Sequence, residues 1–313
     1  MKHIVGIGAN VCDTLISVPA YPIEDTKNKA DSIIQCGGGP CATGLAAAAK
    51  LGAACEYIGL LTDDAPGNFL LKDLGTYNVS SRYVEVLPGY TSFSSYILLS
   101  EDSAARTCVF HRGTLPPLEL SEIQKKAIRE ADILMVDGNE LSAAVEAAKT
   151  AKEAGVKVLY DAGGLYPGVE KLLAYTDILI PSCEFALKIT GEATPEAAAE
   201  KLFATYHPSV LVITQGKEGG ILYDGQKIVK YPAFPVTAVD TNGSGDVFHG
   251  AFAFACAYGM SFENACIFSS AVSAIKCTKV GARAAVPELS EVLQFLKERG
   301  YNEFEKNMDQ KLR

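Results

Sequence analysis

Between Ala131 and Tyr223, short runs of β-branched and other apolar residues keep returning, and helix-patterned stretches fill the gaps between them. Ile133 to Val136 is followed by a helical pattern over Leu141 to Ala154, then by Val156 to Tyr160, then by Ile178 to Ile180. Gly155 stands where a left-handed residue closes a helix, with Lys149 and Lys152 near that end. Pro195-Glu196 opens a further helix reaching about Tyr206, and Val210 to Thr214 reads as a buried strand. Continuously apolar strands joined by helices are buried on both faces, so this pattern predicts a parallel sheet with helices on either side. At 313 residues, 48% apolar and 21% charged, the chain has the material for such a core. One α/β unit over residues 1–313 is expected, because no repeat, low-complexity tract or linker divides it. Asn302 to Arg313 is a polar tail expected to fray.

Two excursions break the alternation. Tyr90 to Ser100 and Arg106 to His111 are both extended and flank the polar tip Glu101-Asp102-Ser103, the signature of a β-hairpin. Thr14 to Gln35 has no helical periodicity; it holds Pro19 and Pro22 and one candidate strand, Ser32 to Gln35. Residues 14–36 and 90–112 therefore read either as a small β-lid carried on the larger unit or as an ordinary surface hairpin and loop.

Charge and composition exclude several classes. A net charge of -9, from 28 Lys+Arg against 37 Asp+Glu, argues against a nucleic-acid surface. Screening over about 8 Å still permits a local anion pocket. The longest apolar stretches, such as Ala251 to Tyr258, fall well short of the ~18 residues a membrane span needs. The opening MKHIVGIGAN enters an apolar strand directly, without the tripartite pattern of a secretory leader, so a cytoplasmic location is expected. Nine scattered cysteines with no C-x-x-C pair are expected to be reduced, and His3, His111, His207 and His249 lack metal-ligand spacing.

The segment with most chemistry in it is Ala238-Val-Asp-Thr-Asn-Gly-Ser-Gly-Asp246, followed by the apolar helical run Val247 to Ala257. Gly243, Ser244 and Gly245 are small residues at a helix start, where backbone amides and the macrodipole favour an anion. Asp246 falls in the first turn; ionised at neutral pH, it can accept the proton of a substrate hydroxyl. Together these features describe phosphoryl transfer, although Asn-Gly plus Asp is also a serviceable turn and cap. Gly37-Gly38-Gly39-Pro40 leads into the Ala-rich helix Leu45 to Leu51, as a ligand-hugging loop or as tight strand-to-helix packing. It lacks the Gly-Lys-Ser/Thr ending of a Walker loop, and Gly6-Ile-Gly8 lacks the third glycine of a dinucleotide fingerprint. Asp13, just after the first strand, is placed to grip sugar hydroxyls or to close its own Asx-turn. Thr214-Gln-Gly-Lys-Glu-Gly219 follows a buried strand and either cradles a nucleotide or turns into the strand Ile221 to Tyr223.

With the early Asp, the Gly-Gly segment, the lid excursions and D-T-x-G-x-G-D in this order, the sequence resembles the ribokinase or PfkB family of carbohydrate and nucleoside kinases over nearly its whole length. The resemblance implies a three-layer α/β sandwich with a central, mostly parallel sheet and a small β-sheet lid. It implies ATP-dependent phosphorylation of a hydroxyl, expected to be primary, on a small sugar. Asp246 would be the base, with Gly243, Ser244 and Gly245 as the anion hole. Asp13, Gly38 and Gly39 would contact sugar; Thr214, Gly216 and Gly219 would contact nucleotide. Thr43, Arg106, Arg112 and Asp161 join the pocket candidates, Arg112 as a bidentate partner for an anionic substrate group. Mg²⁺ carried with ATP, a monovalent cation such as K⁺ near Asp240 and Gly281, and a homodimer through the lid are further implications. Ala42 stands where the family usually has Asn, and Ser182-Cys-Glu184-Phe185 replaces its N-x-x-E element, with Glu184 as a stand-in for the magnesium-linked carboxylate. Two alternatives stay open: a nucleoside kinase with Phe93, Tyr96 and Phe110 as a shelf for the base, and a catalytically weak ligand-binding relative.

Overall fold

The structure, a computed structural model, describes residues 1–103 and 106–305. Residues 306–313 of the polar tail lie outside the described residues.

Among the described residues, thirteen strands form two sheets. They are β1 (His3–Ile7), β2 (Val11–Val18), β3 (Ser32–Gly38), β4 (Ala54–Thr62), β5 (Val79–Leu87), β6 (Ser94–Ser100), β7 (Arg106–His111), β8 (Ile133–Val136), β9 (Lys157–Ala162), β10 (Ile178–Pro181), β11 (Val210–Thr214), β12 (Gly220–Tyr223) and β13 (Ile228–Tyr231). The helices are α1 (Pro40–Lys50), α2 (Ala65–Thr76), α3 (Glu122–Arg129), α4 (Leu141–Glu153), α5 (Glu170–Leu173), α6 (Cys183–Thr190), α7 (Pro195–Tyr206), α8 (Ser244–Ala257), α9 (Phe262–Cys277) and α10 (Leu289–Lys297).

The large sheet runs β13-β12-β11-β10-β9-β8-β1-β4-β5, parallel except for the antiparallel β12 and β13. Alternate residues feed two apolar layers. On β8, Ile133 and Met135 join the core under α1, α8 and α9, while Leu134 and Val136 join the core under α3, α4 and α7. This is the expected three-layer sandwich. The chain winds outward from β1 in both directions, through β4 to one edge and from β8 to the other. A crevice therefore opens at the carboxyl ends of β1 and β8, where open α/β sheets take ligands.

The small sheet, β3-β2-β6-β7, is built from the two excursions. Its β6–β7 hairpin falls where the sequence pattern puts it. β2 is a departure: Val11–Val18 is a full strand pairing parallel with β6 and antiparallel with β3, and β3 runs on to Gly38. Asp13 thus sits on a strand of this sheet and not in the loop after β1. Asp13 interrupts the apolar pattern of β2 because the face it shares with Val11 lines a cavity. All nine cysteines carry free thiols, and no described helix is long and apolar enough to cross a membrane.

Candidate active site

α8 begins at Gly243, which takes the left-handed conformation (φ 73°, ψ 9°) that glycine adopts at no steric cost. A Cβ there would meet Ala282 at 2.7 Å, so the turn is tight as well as left-handed. The first turn of α8 is the wall between two cavities. Gly243 and Asp246 line one of about 380 Å³, with Asp13, Gly38, Gly39, Phe93, Ser95 and Arg106. Ser244 and Gly245 line the other, of about 490 Å³, with Thr214, Gly216, Gly219, Thr241 and Phe248. Of the three amides expected to face an anion, Ser244 donates to the Thr241 carbonyl at 3.2 Å. Among the described residues, no protein acceptor meets the amides of Gly243 and Gly245.

In the 380 Å³ cavity Asp13 is buried and accepts from Ser95 Oγ at 2.6 Å. Burial raises its pKa, opposed by Ser95 and the Arg283 guanidinium. Gly38 packs so tightly on it that a Cβ would lie 1.9 Å from Asp13 Oδ2. The Asp246 carboxyl is pushed up to about 7 by burial and by the negative charge of Asp161, with His249 acting against them. Both ring nitrogens of His249 are engaged below the site: Nδ1 lies 2.6 Å from the Gly245 carbonyl and 3.2 Å from Asp161 Oδ2, and Nε2 lies 3.0 Å from the Ile180 carbonyl.

Two cavities meeting at a helix N-terminus, with a carboxylate on one side and free amides between, is the layout of a phosphoryl-transfer site. Residues 1–289 match the family described as pfkB family carbohydrate kinase. The chain belongs to this family. Ribokinase of Bacillus subtilis (strain 168) is 27% identical over 95% of this kinase and 100% of its own length. An ATP-dependent ribose-1-phosphate kinase of Halopiger xanaduensis is 28% identical over 96% and 99%. A solved structure of Arabidopsis thaliana ribokinase complexed with ribose and ATP superimposes with a TM-score of 0.85 at 27% identity, covering 95% of this chain and 99% of that one. The protein is an ATP-dependent carbohydrate kinase.

Several expected pocket residues lie elsewhere in the kinase. Thr43 is fully buried and reaches the site only through Arg283, whose Nε donates to its Oγ1 at 3.4 Å. Asp161 is buried behind Asp246 and lines none of the three described cavities. Arg112 donates to Asn139 Oδ1 at 3.0 Å over the rings of Phe93 and Tyr166, in an adjoining cavity of about 330 Å³ shared with Asn10 and Glu140. Arg106 is the arginine at the mouth of the cavity beside Asp246, donating across to Asn242 Oδ1 at 2.9 Å. Phe93 and Phe110 face this cavity with ring centroids 6.0 Å apart, but Tyr96 points to the other side of its strand and is 56% exposed.

The metal candidates fare differently from expectation. Glu184 lies on the surface of α6 and pairs with Lys188 at 2.5 Å, because Ser182 caps that helix through the Phe185 amide and turns the carboxylate outward. Among the described residues no three His, Cys, Asp or Glu side chains cluster as a metal site. A Mg²⁺ carried by the nucleotide takes most of its shell from phosphates and water. Asp240 and Gly281 do meet, but through a hydrogen bond: the Gly281 amide donates to Asp240 Oδ2 and the Asn242 amide to Oδ1, both at 2.8 Å. The Asp240 carbonyl accepts from the fully buried Lys276 ammonium, also at 2.8 Å. With an ammonium already in place, this corner does not fit a bound K⁺.

Two buried residues that brace the site without lining its cavities were missed by pattern alone. Asp137, just past β8, accepts from the amides of Ala9, Cys41 and Asn139 at 2.8, 3.0 and 2.9 Å, binding the ends of β1, α1 and β8 into one floor. Its place at a strand's carboxyl end in the crevice was the available signal. Arg283, 2% exposed, donates to Asn10 Oδ1 at 2.8 Å and to the Gly38 carbonyl, and pairs with Asp73 at 2.5 Å. Its partners are distant in sequence, and no local motif announces it.

Proposed function

We propose that Asp246 is the general base of this kinase, that the Gly243 and Gly245 amides receive the transferred phosphoryl group, and that the acceptor is a hydroxyl, expected to be primary, of a small sugar. The carrying observation is that the first turn of α8 is the common wall of both cavities, so an acceptor beside Asp246 and a terminal phosphate over Gly245 are brought into line. In this reading the sugar lies against Asp13, Gly38 and Gly39 in the 380 Å³ cavity. ATP lies against Thr214, Gly216 and Gly219 in the other, where Gly216 (φ +58°) and Gly219 (φ +82°) let the backbone approach closely. A Cβ on Gly219 would sit 2.1 Å from the Tyr231 carbonyl, so no other residue serves there. When bound with the nucleotide, Mg²⁺ supplies charge neutralisation on the phosphate oxygens. The small sheet covers the acceptor, and the Arg106–Asn242 contact ties it to the α8 loop, which supports exclusion of water during transfer.

Asp246→Asn tests the base. General-base removal costs about 10²- to 10⁴-fold in kcat, or roughly 3 to 5 kcal/mol. Near-normal acceptor-dependent ADP release from this variant rejects the assignment. Phe93 and Phe110 in the same cavity favour a second acceptor class, nucleosides. A thermal-shift panel of sugars and nucleosides separates the two, because a ligand at a hundred times its Kd stabilises by roughly 2.7 kcal/mol. Ile33, Tyr96 and Val109, exposed on the outer face of the small sheet, support pairing with a second copy. Nine free thiols support a reducing compartment, the cytoplasm.

A further inference from the structure

Lys276 is a lysine with no exposed surface, in the last turn of α9. Its ammonium reaches the loop that delivers the α8 N-terminus. There it donates to the Asp240 carbonyl at 2.8 Å and lies 3.9 Å from Asp240 Oδ2. The same loop is fastened to the end of α9 by the amides of Val239 and Asp240, which both donate to the Cys277 carbonyl, at 2.7 and 3.2 Å. Burying an ammonium is costly unless a carboxylate compensates it, so its placement here answers a specific charge. Burial pushes the lysine pKa down, while Asp240, Cys277 and Asp246 act to keep it charged and Arg106 acts against it. The C-terminal end of α9 adds negative potential at the same point.

The geometry points to Lys276 as a built-in cation: its ammonium holds the position and charge that an exchangeable monovalent ion would otherwise supply between Asp240 and the α8 loop, and nucleotide binding by this kinase is therefore indifferent to K⁺. Two unit positive charges a few ångströms apart in a poorly solvated corner repel strongly, so the ammonium and a K⁺ ion exclude one another. The ammonium also cannot diffuse away, so the Asp240 to Gly243 turn stays braced without help from salt. The effect on nucleotide binding rests on the placement of ATP in the 490 Å³ cavity, whose lining includes Thr241, Ser244, Ser273 and Cys277 beside this corner.

The test is calorimetric titration of the full-length wild-type protein with MgATP in potassium chloride and in choline chloride, at a matched ionic strength of about 0.1 M so that screening is equal. The expected result is a Kd unchanged within about twofold between the two salts. Tightening by K⁺ of about fivefold or more overturns the inference. Lys276→Met removes the charge while keeping an apolar stem; its ATP affinity should fall in choline and recover in potassium or ammonium chloride. A folded Lys276→Met protein that binds ATP normally in choline also overturns it. Should that variant not fold, the wild-type comparison decides alone. The melting temperature of the ATP-free wild type gives a readout independent of nucleotide placement: it should not differ between the two salts, and a K⁺-specific rise counts against Lys276. None of these measurements needs Asp246 as a base, so the two readings fail separately.

Discussion

Gly38 has no room for a side chain, and the reason is Asp13. The carboxylate occupies the place a Cβ would take, so Gly38→Ala must displace either Asp13 or the end of β3. Acceptor KM should rise about tenfold or more, equivalent to ~1.4 kcal/mol of binding, while ATP affinity is retained. Steady-state kinetics varying each substrate separately checks this. On its proposed role as the base, Asp246 carries the pH dependence. Its carboxyl is pushed up to about 7, mainly by burial, and a base works only when ionised. Lowering the pH through that value adds the proton that disables it, so kcat should fall about tenfold per unit on the acid side and level off above. A kcat profile flat down to about pH 5.5 contradicts this assignment. Asp246 was legible because everything that identifies it lies within a few residues of the same helix start. Arg283 was not, because its partners Asn10, Gly38, Thr43 and Asp73 come from three segments, each more than 200 positions before it.

At the scale of elements, the site depends on how closely α8 approaches α1. Gly44 and Gly250 face each other where the helices meet; a Cβ on Gly250 would stand 2.0 Å from the Gly44 carbonyl, and one on Gly44 would strike Met135. Small residues at this crossing let α8 lie over β1, β8 and β9 and bring its first turn to the crevice. Gly250→Ala sets two effects against each other. Helix propensity favours alanine by about 1 kcal/mol, but the clash is with backbone that cannot rotate aside. The clash wins, for a net loss of about 2 kcal/mol or more, measured by denaturant unfolding with an unchanged m-value. The Ala-rich helix was anticipated from sequence, starting at Leu45; the structure starts it at Pro40, which suits a first helical turn. β2 escaped notice because its alternation serves a cavity on one face, so Asp13 lies inward where a strand pattern calls for an apolar residue.

For the whole molecule, the small sheet has two faces with different tasks. Asp13, Ser95, Ile97, Cys108 and Phe110 look into the cavity, while Ile33, Tyr96 and Val109 look out. Self-association through the outer face predicts a dimer by light scattering, and Tyr96→Glu should shift it toward monomer by placing a charge in an apolar contact. A wild-type monomer at micromolar concentration counts against that assembly.

Element type, the parallel sheet, the hairpin and the glycine turn that starts α8 follow from residues near one another in the chain, because propensity, capping and periodicity act over one or two helical turns. Which acids share a cavity, that Glu184 faces solvent, that Thr43 and Asp161 lie behind the site, and that a lysine near the end of α9 sits against Asp240 were settled only by folding. Contacts of this kind join residues tens to hundreds of positions apart, and their energies come from burial and charge pairing that exist only once the layers have packed.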